Sequence, residues 1–243
     1  MQRCIIMKRF IPNQHGAWSM LVLPFLFGMA ASQATFLHIP LFLCWLLIYL
    51  FIFPLLQGVK TRRFDRYGPP LKVYGLLLLP FAAYLIVAEP KLLWFALPAL
   101  PLFAVNLYYA RAKNERALPN DIAGILLFCL MVFPVFYIGG GTDWGMAAEL
   151  FLLALLYFVG TALYVKTIIR EKNNPRYYYA SVIYHGVFLL AGVVLFPSLT
   201  VPLMILLLRA AGLPKTRITP KRTGILEIGF SVMLYISVWV LYF

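Results

Sequence analysis

Four polar clusters interrupt a strongly apolar chain, and the residue types in each suit the binding of an anion. The first is Pro12-Asn13-Gln14-His15-Gly16-Ala17-Trp18. Asn13 suits a helix N-cap, Gly16 a close helix approach and Trp18 the headgroup level of a membrane. His15 adds a titratable ring beside free backbone N–H groups, which favours an anionic ligand and makes His15 a candidate acid or base. The second cluster sets Gln57, Lys60 and Thr61 at i, i+3 and i+4 on one helix face, with Arg62, Arg63 and Asp65 following. A solvated, snorkelling helix end accounts for these cations as readily as an anion site does.

The third cluster carries the most. Asn106, Tyr109 and Lys113 fall at i, i+3 and i+7, one helix face, and lead into Asn114-Glu115-Arg116-Ala117-Leu118-Pro119-Asn120-Asp121. Asn120 or Asp121 suits an N-cap after Pro119. Asn106, at membrane depth, should face another helix or a cavity rather than lipid, so the stripe reads as a pocket wall with Asp121 as a second candidate acid or base. The fourth cluster is Tyr164, Lys166, Thr167, Arg170 and Glu171, with His185 further on. Lys166 and Arg170 are i, i+4 neighbours of like charge, which repel unless an anion or a carboxylate sits between them. Such a pair suits phosphate or diphosphate, Arg by bidentate hydrogen bonds and Lys as a point charge. His185 reads either as a buried, hydrogen-bonded ring or as an intramembrane functional group.

The elements that must position these residues follow from composition. Of 243 residues, 63% are hydrophobic and 12% charged, against about 45–50% and about 25% in soluble domains. The mean hydropathy is +0.87. A water-soluble globule, a disordered chain and a disulfide scaffold are thereby excluded. Cys4, Cys44 and Cys129 form no CxxC pair. Stretches 16–33, 38–58, 73–88, 92–110, 121–139, 146–168, 178–195, 201–211 and 224–243 are apolar enough to cross a bilayer, which takes about 20 residues. The sequence therefore predicts an all-α, polytopic transmembrane bundle of about nine spans, forming one domain over residues 1–243. The eighth stretch is short and reads as a half-span or a tilted, re-entrant piece. Residues 32–34 resemble a small-residue cleavage site, but Pro24 and the preceding polar cluster argue for a retained first span.

Nine crossings with the N-terminus inside place every Lys and Arg except Lys91 on one side. The positive-inside rule makes that side cytoplasmic, and it accounts for the net charge of +13 without nucleic acid as a partner. The outer loops are short and nearly neutral, and Gly139-Gly140-Gly141 lacks the Lys-Ser/Thr of a phosphate cradle. HExxH and GxSxG signatures are absent.

Three segments, Pro12-Asn13-Gln14-His15-Gly16-Ala17-Trp18, Asn120-Asp121-Ile122-Ala123-Gly124 and Tyr164-Val165-Lys166-Thr167-Ile168-Ile169-Arg170-Glu171, resemble the YwiC-like family of bacterial membrane proteins over nearly the whole chain. More distantly, the architecture resembles the UbiA superfamily of intramembrane prenyltransferases, with nine spans and cytoplasmic loops after spans two, four and six. Tyr109-Ala110-Arg111-Ala112-Lys113 fits that superfamily's YxxxK pattern. The superfamily's two aspartate-rich Mg²⁺ motifs are missing, because residues 57–65 hold one carboxylate and residues 166–171 have none at the DxxxD spacing. Lys and Arg repel Mg²⁺, so no metal and no other cofactor is expected.

The sequence thus predicts a cell-membrane protein with a cytoplasm-facing cationic pocket for an amphipathic anionic lipid, such as a polyprenyl phosphate or a phospholipid. Its lining is expected from His15, Lys60, Arg62, Arg63, Asn106, Tyr109, Lys113, Arg116, Asn120, Asp121, Lys166, Arg170, Glu171 and His185. If an enzyme, it would be a UbiA-like transferase that works without the aspartate-rich motifs. The alternatives are a small-molecule transporter, which needs polar residues through the full membrane depth, and a non-catalytic scaffold. The charge order yields a direct expectation. A cysteine placed at Arg63 should resist a membrane-impermeant thiol reagent in intact cells, whereas one placed at Thr142 should react, and the reverse pattern would invert the topology.

Overall fold

The computed structural model describes residues 15–216 and 218–243, with only the backbone of His15. Asn13 and Gln14 lie outside the described residues, as does the His15 side chain. Every regular element is helical, with no strand among the described residues. Eight helical stretches are long and apolar enough to cross a membrane, and the shorter α1 joins them. The elements are α1 (His15–Ala30), α2 (His38–Thr61), α3 (Phe64–Ala88), α4 (Leu92–Ala96), α5 (Ala99–Arg111), α6 (Leu118–Cys129), α7 (Val132–Ile138), α8 (Trp144–Ile169), α9 (Pro175–Leu195), α10 (Thr200–Gly212) and α11 (Pro220–Tyr242).

Two spans are broken helices. Pro98 stands at the N-cap of α5, where its missing N–H is no loss, so α4 and α5 make one crossing with a break at 97–98. Leu130 and Met131 separate α6 from α7, whose first turn holds Pro134. The short eighth stretch is resolved by its flanks. Single 3₁₀ turns at Pro197–Leu199 and Leu213–Lys215 extend α10 at both ends, giving 19 residues, enough to cross. The third span starts at Phe64 rather than near residue 73, so Lys72 lies within the helix.

Chain alternation places the α2/α3, α5/α6, α8/α9 and α10/α11 turns at one end, and polar ties join them. Lys60 reaches Glu115, Lys166 reaches the Arg116 carbonyl, and the Tyr178 hydroxyl donates to the Ala211 carbonyl at 3.0 Å. At the opposite end, the Gln33 N–H donates to the Gly139 carbonyl at 3.1 Å and the Tyr137 hydroxyl to Glu89 at 3.1 Å.

The main core surrounds α8, which buries residues along its whole length from Ala147 to Ile168. Phe27 of α1, Phe136 of α7, Phe188 of α9, Leu203 of α10 and Leu234 of α11 pack with it. A second core joins α1, α2, α3 and α7 through Phe25, Leu41, Leu85 and Val135. By contrast, α4 and α5 bury little, Ala110 apart. Their outward side chains, such as Trp94 and Leu100, suit a lipid-facing position.

Helix α1 approaches α7 backbone to backbone at Gly28. A Cβ there would lie 2.6 Å from the Val132 carbonyl oxygen and 2.7 Å from the Val135 Cβ. Gly28→Ala should therefore lower the stability of the detergent-solubilised protein by about 1–3 kcal/mol. Gly186→Ala, which meets nothing within 4 Å, should leave the apparent Tm unchanged or raise it.

Candidate functional site

The loop between α5 and α6 is the hub of the basic end of the bundle. Helix α5 stops at Arg111, and Lys113 adopts a left-handed backbone with φ 56°. Two backbone hydrogen bonds close the turn, Lys113 N–H to the Ala110 carbonyl and Asn114 N–H to the Tyr109 carbonyl. The helix therefore ends before Lys113, so Lys113 does not extend the Asn106–Tyr109 face as the spacing predicts, and its side chain is exposed. Tyr109 packs edge-on against Tyr108 instead.

Asn106 does face another helix. Its amide donates to both the carbonyl and the side-chain oxygen of Asn120, at 3.1 and 2.9 Å, and the Asn120 amide donates back to the Glu115 carbonyl at 2.8 Å. Helix α6 begins at Leu118 with Ala117 as its N-cap and no side-chain capping bond. Neither Asn120 nor Asp121 is a cap, because both sit inside the first turn and turn toward neighbouring helices.

Asp121 instead meets Lys166. The ammonium lies 2.6 Å from the carboxylate, with the two side chains 7% and 24% exposed for Lys and Asp, and it also donates to the Arg116 carbonyl at 3.1 Å. Arg116 thus contributes its backbone oxygen to the cluster, while its own side chain is exposed. Lys60 pairs with Glu115 at 2.6 Å and is about one-third exposed. The Lys166–Arg170 pair does not stand as a bare cationic grip: its Lys has a carboxylate partner from α6, and Arg170 is an exposed C-cap of α8. Glu171 accepts from the Asn174 amide at 2.8 Å, which holds the turn into α9.

His185 belongs to a separate, deeper cluster that joins α8, α9, α10 and α11. Its Nδ1 donates to the Ser181 carbonyl at 2.8 Å and its Nε2 accepts from Arg209 Nη2 at 3.3 Å, a division fixed by the guanidinium being donor only. Arg209 also donates to Glu227 at 2.6 Å and to the Thr161 hydroxyl at 3.4 Å. The sequence reading treats Arg209 as an ordinary rim cation and passes over Glu227. The signal that finds them is simple: Glu227 is a lone carboxylate inside an apolar span, and such groups face partners. The predicted single cup therefore resolves into two polar centres, one at the rim and one buried among the last four spans.

A groove of about 520 Å³ opens beside the rim centre, lined by Val59, Arg62, Phe64, Leu107 and Arg111. Arg62 closes α2 as a left-handed C-cap with φ 56°. Neither Arg62 nor Arg111 forms an ion pair among the described residues. Arg63 is exposed on the α2/α3 turn. Among the described residues, no group of three or more His, Cys, Asp or Glu side chains converges closely enough to hold a metal ion.

Residues 11–136 match the family model described as YwiC-like protein. The chain is 43% identical over 179 residues to the uncharacterized protein YwiC of Bacillus subtilis (strain 168), covering 74% of this chain and 75% of that one. It is 34% identical over 234 residues to an uncharacterized protein of Haemophilus influenzae (strain ATCC 51907 / DSM 11121 / KW20 / Rd), covering 95% and 97% of the two chains. No solved structure matches the chain significantly.

The rim centre makes a stability prediction. Lys166→Met leaves the Asp121 carboxylate half-buried and unpaired, and should cost about 3 kcal/mol in the unfolding of the detergent-solubilised protein. Adding Asp121→Leu should restore most of that loss, because an apolar pair of similar volume replaces a buried ion pair at little net cost.

Proposed function

We propose, for a chain that belongs to the YwiC-like protein family, that this multi-pass membrane protein holds an amphipathic, phosphate-bearing lipid at its cytoplasmic face. A polyprenyl phosphate and a phospholipid share the required chemistry. The observation that carries the reading is the groove between the ends of α2 and α5, where Arg62 and Arg111 stand over Val59, Phe64 and Leu107. Two guanidiniums without carboxylate partners suit bidentate bonds to phosphate. Apolar side chains beneath them suit the first carbons of a tail that continues down the lipid-facing side of α5.

Backbone strain supports the same place. The non-glycine residues with positive φ among those described are Arg62 and Lys113, both cations at the cytoplasmic ends of spans. Glycine is the usual occupant of such positions, and a strained side chain persists where the surroundings need it. A cation there also meets the negative end of the helix dipole.

The paired state of Asp121 favours binding over transfer chemistry, since a carboxylate engaged by Lys166 is held as a structural partner rather than as a base or metal ligand. The closed outer half favours a binder over a conduit. Phe136, Leu150, Leu153, Leu199 and Val238 are all fully buried there and make that part of the core apolar.

Native mass spectrometry of the protein released from detergent tests the reading. Wild-type protein should carry phosphate-bearing lipid adducts, and Arg62→Ala with Arg111→Ala should reduce them at least about tenfold, the worth of charge-assisted bonds lost. Lys221→Ala with Arg222→Ala, which removes the same charge elsewhere on that face, should leave them in place. Equal adduct loss in both variants would reduce the groove to a general electrostatic attraction.

A further inference from the structure

The buried cluster on the last four spans lies on other helices than the Arg62–Arg111 groove and does not depend on it. Its geometry is unequal between its two charges. Arg209 is held by more than its carboxylate: Nη2 donates to the neutral acceptors Thr161 and His185. The guanidinium also lies 4.6 Å from the Tyr164 ring centre, 5.0 Å from Phe230 and 5.8 Å from Tyr157. Such a cage of acceptors and aromatic faces adds support to a buried cation beyond what its carboxylate supplies. Glu227 has less support, from Arg209 and from the Thr161 hydroxyl beside it. One oxygen accepts from Arg209, the other has no hydrogen-bond partner, and the side chain is 2% exposed.

Four unpartnered polar atoms belong to this cluster: Glu227 Oε1, Tyr164 Oη, Arg209 Nε and Ser181 Oγ. Glu227 lies seven residues into α11, about 10 Å below the helix start at 1.5 Å per residue. A permanent clamp would be expected to satisfy both carboxylate oxygens, because each unmet lone pair at depth is costly. We propose that Glu227 is a proton-binding site within the membrane, and that its occupancy decides whether α11 stays clamped to α10 and α8.

The step is a simple addition. A proton joins one Glu227 oxygen, the carboxylate becomes a neutral acid, and the bond from Arg209 Nη1 loses its ionic partner while the cage keeps the guanidinium. The groups surrounding the pair are Tyr157, Thr161 and Tyr164 from α8, Ser181 and His185 from α9, and Phe230 and Ser231 from α11. Arg209 keeps its charge throughout. His185 is the other titratable group that touches Arg209, and as an imidazolium it would lose its acceptor role toward Arg209. Glu227 neutralises as pH falls, so the ion pair is present on the alkaline side and lost on the acidic side.

The test uses the full-length protein in phospholipid nanodiscs and reads the carboxylic acid directly. On acidification, infrared difference spectra of the wild type should gain a protonated-carboxyl C=O band that Glu227→Gln abolishes and His185→Gln retains. At neutral pH, Glu227→Gln should exchange α10 and α11 amides about tenfold faster than wild type, matching the wild type in acid. Should Glu227→Gln fail to fold, a hydrophobic carbodiimide provides the readout on wild type, since it adds across a protonated carboxyl to give an N-acylurea with no leaving group. The adduct on the Glu227 peptide should rise at least about tenfold from alkaline to mildly acidic pH. A carboxyl band that survives Glu227→Gln, or a Glu227 peptide unmodified at every pH, would make the pair a permanent clamp and overturn the proposal.

Discussion

A charge carried below the membrane surface has to find its counter-charge on another helix, and the inner half of this bundle is organised by that demand. Helix α8 borders both buried pairs. Its last turns offer Lys166 to Asp121 of α6 and, one turn earlier, Thr161 and Tyr164 to Arg209 of α10. The outer part of α8 meets only apolar neighbours. One helix is thus a dry post at its outer end and a polar junction at its inner end. Removing any single member of a pair strands a buried charge, whereas the apolar contacts tolerate small volume changes far better.

The spans away from α8 follow a looser rule. Helix α5 is tied at its basic end through Asn106 to Asn120, and the loop beyond it is tied to α2 through Lys60 and Glu115, while Phe95 of α4 packs on Tyr137 and Trp144 at the opposite end. Between those ties α4 and α5 present apolar side chains to lipid. The groove lies between the α2 and α5 ends, beside the Lys60–Glu115 bridge that ties α2 to the loop beyond α5. The cations that flank it occupy the C-terminal ends of their helices, where unpaired carbonyls favour positive charge.

Most of the fold was legible in the residues. The number of crossings and the gathering of polar clusters at one end follow from the order of apolar runs and basic residues. The site was legible in part. Asn106 was recognised as a residue that must face a partner, and it does, through Asn120. Lys166 and Arg170 were read as one grip from their i, i+4 spacing, yet Lys166 turns to a carboxylate on another helix. The Asn106–Tyr109–Lys113 stripe failed because a helical face exists only while the helix continues, and α5 stops two residues short. Glu227 is a lone acid inside an apolar span, outside the four polar clusters, and no spacing pattern in the sequence ties it to Arg209.

What the chain's order of residues determined by itself was the solvent and the number and order of its crossings. Hydrocarbon admits only long, self-satisfied apolar helices, and the distribution of Lys and Arg orients them. What only the tertiary structure decided was which charges meet. Lys60 with Glu115 and Arg209 with Glu227 are separated by 55 and 18 residues. No helical period links such positions, and only the packing of whole spans brings them within one hydrogen bond of each other.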